Sequence, residues 1–128
     1  MNRADALKRY REMQIQTSPP QQLILLLYDE AIKCLNEAKI IVGAENIEKT
    51  SRLLLKTQKI IRELMCSLNP EVGKIATGWF SLYEYMHWKL MQANLEKKSE
   101  LIEEVLLLLK PLREAWIKAM EGVNENRN

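Results

Sequence analysis

The sequence predicts an all-α protein: an antiparallel up-down-up-down four-helix bundle preceded by a short N-terminal arm. Three observations predict it. Only four glycines, four prolines and one phenylalanine occur in 128 residues, while Leu, Lys, Glu, Ile and Ala dominate, which is the composition of helices. Apolar residues recur in steps of three and four through four segments, and no stretch alternates with period two over a useful length, so strands find no support. The breaks between segments are short, and short connections make consecutive helices antiparallel neighbours.

The first helix, expected over 18–43, starts in QTSPPQQLILLLYDEAI. A proline at the first helical position loses nothing, because its missing N–H would have no intrahelical partner. Ser18 then serves as N-cap and Gln21 completes a Ser-x-x-Gln capping box. Ile24, Leu27, Ala31, Cys34, Ala38 and Ile41 form the inward stripe, and Gly43 is the expected C-terminal cap. The second helix, 46–68, carries Ile47, Leu54, Ile61, Leu64 and Leu68 on one face, with Thr50 and Thr57 in register; Asn69, Pro70 and Gly73 end it. The third, 71–94, presents Val72 or Ala76, then Trp79, Tyr83, Met86, Leu90 and Ala93. Ser99 caps the fourth, 99–122, where Leu101, Val105, Leu108, Leu112, Ala115 and Ala119 repeat. Pro111 removes a backbone bond to Leu107 and is expected to bend that helix. The domain map is therefore an arm at 1–17, a bundle at 18–123 and a disordered tail at 124–128.

Composition also excludes functions. A net charge of +2 is too slight to argue for nucleic acid. Lys49, Arg52, Lys56 and Lys59 line one side of the second helix, but no groove-reading motif accompanies them, and a solvated back face accounts for them. The longest purely apolar runs, Leu23 to Tyr28 and Val105 to Leu109, fall far short of the ~20 residues of a membrane span. Met1 to Glu12 has no apolar signal-peptide core, so a cytoplasmic location without membrane insertion is expected. Cys34 and Cys66 lack CxxC spacing and read as small buried hydrophobes.

Catalysis has little to stand on. Glu84-Tyr85-Met86-His87 has the Glu-x-x-His spacing of ferritin-like di-iron helices. Such sites need two of these pairs and two further inward glutamates. The chain has one histidine, which reads as a core-edge residue. There is no glycine-rich phosphate loop, no Gly-x-Ser-x-Gly and no Cys–His pair in triad company. No catalytic residue, cofactor or metal is expected.

Turning each helix by about 100° per residue leaves many large apolar residues off the inward stripes. These are Leu25, Leu26, Ile32 and Ile40 on the first helix, and Leu53, Leu55 and Ile60 on the second. Tyr85 and Trp88 on the third and Leu106, Leu107 and Ile117 on the fourth complete the set. Scattered exposed apolar residues are ordinary, but contiguous ones mark interaction surfaces. Either a second copy of the chain, forming a homodimer, or another protein's helix could cover them.

Three motifs choose between these. SPPQQLILLLYDEAI resembles the opening signature of the flagellin export chaperones, the FliS family: Thr/Ser-Pro-x-x-Leu, several apolar residues, then Leu-Tyr-Asp/Asn-Gly. SLYEYMHWKLMQAN, Ser81 to Asn94, is similar to the family's Leu-Tyr-x-Tyr-Met helix, and LREAWIKA, Leu112 to Ala119, to its Leu-Arg-x-Ala-Trp ending. Glu30 departs from the usual glycine. The resemblance implies a four-helix cytosolic chaperone that binds flagellin's disordered C-terminal segment, prevents premature polymerisation and supports delivery to the flagellar type III export gate. A regulator or co-chaperone is a further candidate partner. Leu53, Ile60, Tyr85, Trp88, Leu106 and Leu107 are the candidate flagellin contacts. Tyr28, Tyr83 and Trp116 are assigned first to the core, the tyrosine hydroxyls at its edge. By the same resemblance, Leu7 and Tyr10 of the arm, which share a face on one helical turn, form either a displaceable groove lid or part of a frayed terminus.

Overall fold

The computed structural model describes residues 20–68 and 74–126. Four helices follow one another: α1 (Pro20–Ile41), α2 (Ile47–Ser67), α3 (Lys74–Glu96) and α4 (Ser99–Asn126), with a 3-10 turn at Ala44–Asn46. They form a ring in which α1 packs on α2 and α4, and α3 packs on the same two from the opposite side. Side-chain pairs fix the directions. As α1 advances from Glu30 to Glu37, its partner on α2 retreats from Lys56 to Lys49. Likewise, Asp29 and Lys39 of α1 pair with Arg113 and Glu103 of α4. This is the expected antiparallel up-down-up-down bundle.

The helix ends show local chemistry at work. Gly43 is extended, with φ 163°, and does not provide the expected left-handed cap. Instead, Asn46 reaches back, its Nδ2 donating to the Ile41 carbonyl at 2.9 Å, and so satisfies an end-of-helix acceptor. Between α3 and α4 only Lys97 and Lys98 intervene. Lys97 takes φ 53° and its N–H donates to the Ala93 carbonyl at 2.8 Å, a single-residue αL cap. α4 runs through Pro111 without interruption and on to Asn126, so residues 124–126 are helical where a disordered tail was expected. Extending an existing helix is far easier than nucleating one. The arm at 1–17, the Ser18 cap and the break at 69–73 lie outside the described residues.

The core contains Tyr28, Ala31, Leu35 and Ala38 of α1, and Leu54, Ile60, Ile61 and Leu64 of α2. Tyr83, Met86, Leu90 and Ala93 of α3 and Ile102, Val105, Leu106 and Leu109 of α4 complete it. Each fully buried leucine or isoleucine contributes about 1.5–3 kcal/mol. At the centre, Tyr28 and Tyr83 hydrogen-bond through their hydroxyls, with ring centroids 6.5 Å apart. The hydroxyls are buried with the rings, not at the edge, and burial pushes both phenol pKa values up. Trp79 packs edge-on against Tyr83. Trp116 packs against the core and donates its indole N–H to the Gln21 carbonyl at 3.0 Å.

Three expectations need correction. Ile47 is half exposed, since it is the first residue of α2 and lies beyond the packed layers. The buried stripe of α4 is Ile102–Val105–Leu106–Leu109, whereas Leu101, Leu108 and Leu112 are only partly buried and Ala115 and Ala119 are exposed. That helix is thus turned relative to its expected setting. Its seam with α1, clamped by Glu103 and Arg113, sets the rotation. Cys34 is buried but Cys66, near the end of α2, is exposed.

Candidate protein-binding surface

The large apolar side chains left in solvent are unevenly distributed. Among the residues whose burial is described, Phe80, Leu82, Tyr85, Trp88, Met91 and Leu95, all on α3, outnumber those on the other three helices together: Leu26, Ile40, Ile47, Leu55 and Leu107. α3 buries Tyr83, Met86, Leu90 and Ala93 on one side. At about 100° per residue, Phe80, Trp88, Met91 and Leu95 form a second stripe roughly opposite the first. A helix apolar on both faces is normally buried on both. This one is not.

The Tyr85–Trp88 pair is held in place. Lys89 lies over both rings, its Nζ 5.5 Å from the Tyr85 centroid and 5.3 Å from that of Trp88, and the rings are 6.3 Å apart. Glu104 of α4 accepts a hydrogen bond from the Tyr85 hydroxyl at 2.6 Å and pairs with Lys89 at 3.3 Å. The Tyr85 bond, supported by Lys89, draws the Glu104 carboxyl below its ordinary pKa. Cation–π contact and hydrogen bonding hold the aromatic faces in a preset orientation, so less side-chain freedom is lost when a partner lands.

The other expected contacts divide. Leu107 is 63% exposed on the outer crest of α4, while Leu53 is half-buried against the core. Ile60 and Leu106 are fully buried and offer no surface, contrary to expectation. Ile60 is one turn beyond Lys56, whose ammonium meets Glu30 of α1 at 2.6 Å. Leu106 is flanked by Glu103 and Arg113, which meet Lys39 and Asp29 of α1 at 2.7 and 2.6 Å. Both therefore fill seams with α1. A helical wheel with one inward stripe overlooks the two flanks that every bundle helix also buries. Phe80, Met91 and Leu95 were missed for the opposite reason: α3 already had a satisfactory inward stripe. Their spacing on the opposite face was the available signal.

His87 is half-buried, and its buried Nε2 has no hydrogen-bond partner. Burial, and then the Arg62 guanidinium, hold its pKa below the ordinary value. Glu84, its would-be companion, is exposed. Among the described residues, no group of three His, Cys, Asp or Glu side chains could hold a metal ion, and no helix is long and apolar enough to cross a membrane. Leu7 and Tyr10 lie outside the described residues.

Known proteins resemble this chain in sequence and in fold. The flagellar secretion chaperone FliS of Salmonella typhimurium is 34% identical over 122 residues, which cover 91% of this chain and 90% of that protein. The Bacillus subtilis protein of the same name is 28% identical over 119 residues, 93% of this chain and 89% of its own. A solved structure described as a flagellar chaperone from bacteria superposes with a TM-score of 0.75 at 22% identity, covering 94% of this chain and 99% of the other; at that identity the likeness speaks to the fold alone. The sequence pattern of the flagellar protein FliS family matches residues 3–123, nearly the whole chain. On that match, and on the Salmonella relative, this chain belongs to the FliS family of flagellar secretion chaperones.

Proposed function

We propose that the chain is a cytosolic chaperone that binds the disordered C-terminal segment of flagellin, keeps subunits from polymerising prematurely and presents them to the flagellar type III export gate. The observation that carries this is the second apolar face of α3 on a bundle whose core is already filled. A disordered amphipathic segment can fold as helices against such a face, burying apolar surface on both partners and offsetting its own ordering entropy. Tyr85, Trp88 and Leu107 are the proposed contacts; Leu53, half-buried between Lys49 and Lys56, which both pair with α1, lies away from that face. While covered, the flagellin segment cannot make the contacts that join one subunit to the next. The role is one of binding rather than catalysis, in keeping with a chaperone family. Gate binding while flagellin is held, and binding of a regulator or co-chaperone, belong to the same proposal.

Size-exclusion chromatography with flagellin tests it directly. A stoichiometric complex with monomeric flagellin, together with delayed filament assembly, is expected. A stable homodimer that leaves flagellin free and assembly unslowed would overturn it. The arm is proposed to cover the client groove in its absence through Leu7 and Tyr10. Replacing both by alanine should then tighten binding of a flagellin C-terminal peptide, and unchanged affinity would remove the lid from the account.

A further inference from the structure

Glu104 does more at the α3–α4 seam than join two helices. Its carboxylate accepts the Tyr85 hydroxyl at 2.6 Å and meets the Lys89 ammonium at 3.3 Å. Both partners stand on α3, four residues apart, and so share one flank of that helix. Lys89 is the covered member. Its side chain is only 14% exposed, and its Nζ lies against the faces of Tyr85 and Trp88, which are themselves 41 and 51% exposed. Aromatic faces replace only part of the water an ammonium gives up, and the carboxylate supplies the rest. Among the described residues no other carboxylate reaches Lys89: Glu103 is taken by Lys39 of α1, and Glu84 and Glu100 are exposed. Deprived of that counter-charge, a lysine extends its flexible stem toward solvent, and the two rings resting on it lose their support. The Glu104 side chain is 41% exposed, and an ion pair that open contributes little to folding.

We propose that Glu104 is a positioning residue for client binding: without touching the client, it keeps Lys89 against the Tyr85 and Trp88 rings and so holds the aromatic surface in its binding orientation. The proposal rests on the client-binding role above. The hydrogen bond fixes the Tyr85 ring directly, and the retained ammonium fixes both rings. A surface carried by α3 is thereby set by a residue of α4. Without Glu104 the client must freeze the ring torsions itself, which for one or two side chains corresponds to a complex about two- to ten-fold weaker. The same reasoning sets up a rescue. Lys89 needs Glu104 because it is charged, so replacing the pair by neutral groups of similar size removes the need. Methionine keeps an apolar stem against the rings, and glutamine keeps an acceptor for the Tyr85 hydroxyl.

Calorimetric titration of the full-length chain with the flagellin C-terminal segment tests this. Glu104→Gln should weaken binding about two- to ten-fold, and adding Lys89→Met should restore affinity to within about two-fold of the parent. In a Tyr85→Ala/Trp88→Ala background, Glu104→Gln should change nothing further, because it acts through the rings. Fluorine NMR of chain labelled with 5-fluorotryptophan gives an independent reading. Glu104→Gln should shift and broaden the Trp88 resonance, assigned with Trp88→Phe, and leave those of Trp79 and Trp116, which pack on the core, in place. Weakening that Lys89→Met does not relieve, or that persists without the rings, would overturn the proposal; the latter would make Glu104 a direct contact. An unmoved Trp88 resonance would overturn it too, as would a fall in urea midpoint matching the loss of binding, which would assign Glu104 to folding. If the parent binds the segment and Glu104→Gln binds it equally well, the assignment of Glu104 alone fails. If the parent does not bind, the chaperone reading fails and this assignment falls with it.

Discussion

The Tyr28–Tyr83 pair joins two helices that face each other across the ring, and each hydroxyl is the other's partner. Phenylalanine at either position leaves one phenol buried and unpaired, which should cost about 1–3 kcal/mol. The double substitution Tyr28→Phe/Tyr83→Phe removes both polar groups and should recover much of that loss. Urea denaturation of the four proteins checks it; additive losses would show that the hydroxyls act independently. His87 gives a pH dependence of known sign. Burial and Arg62 keep its folded pKa below 6.5, so as pH falls the unfolded chain takes up the proton first. Stability is therefore full above that value, declines as pH drops through it, and levels off below the folded pKa. His87→Gln should flatten the urea midpoint between about pH 7.5 and 5.5. The carboxylates with depressed pKa values, Glu30, Glu103 and Glu104, act at lower pH and should not obscure the change.

Among the elements, α4 tolerates Pro111 because of where it falls. Pro111 is exposed and so is Leu107, whose carbonyl loses its usual donor, so water can serve that carbonyl. The helix still carries a proline penalty of up to about 3 kcal/mol relative to alanine. Pro111→Ala is expected to raise stability by about 1–3 kcal/mol, read as a higher denaturant midpoint at constant m-value. An unchanged midpoint would mean that packing already offsets the penalty. At the α3–α4 turn, Lys97 occupies the left-handed region, where a β-branched residue is strongly disfavoured. Lys97→Val should destabilise by about 1–2 kcal/mol, measured in the same way.

At the level of the whole molecule, the bundle is closed along α1 and open along α3. Charged pairs seal both flanks of α1, whereas α3 presents aromatic and aliphatic side chains to solvent. Removing the exposed pair with Tyr85→Ala/Trp88→Ala should alter thermal stability by less than about 1 kcal/mol yet weaken flagellin binding by about ten-fold or more, as calorimetry would show. Equal losses in both would assign the pair to folding. The architecture was legible in the sequence because the 3.6-residue period survives through every helix and the connections are short. The surface was legible only in part. Tyr85, Trp88 and Leu107 could be placed from their own helix. Ile60 and Leu106 could not, since what covers them belongs to α1, far away in sequence and known only once the seams are assembled. The pairing of the α2 lysines has the same origin: Glu30 and Glu37 on the neighbouring helix neutralise Lys56 and Lys49.

The two sulfurs differ in a way that makes them a built-in clock. Cys34 is buried on α1 and burial raises its thiol pKa, while Cys66 lies in the open. An aromatic disulfide reagent should thus consume one equivalent promptly and the second only when the scaffold breathes. That slow phase counts openings of the bundle, and its lengthening in the presence of a ligand would report how firmly the ligand holds the bundle shut.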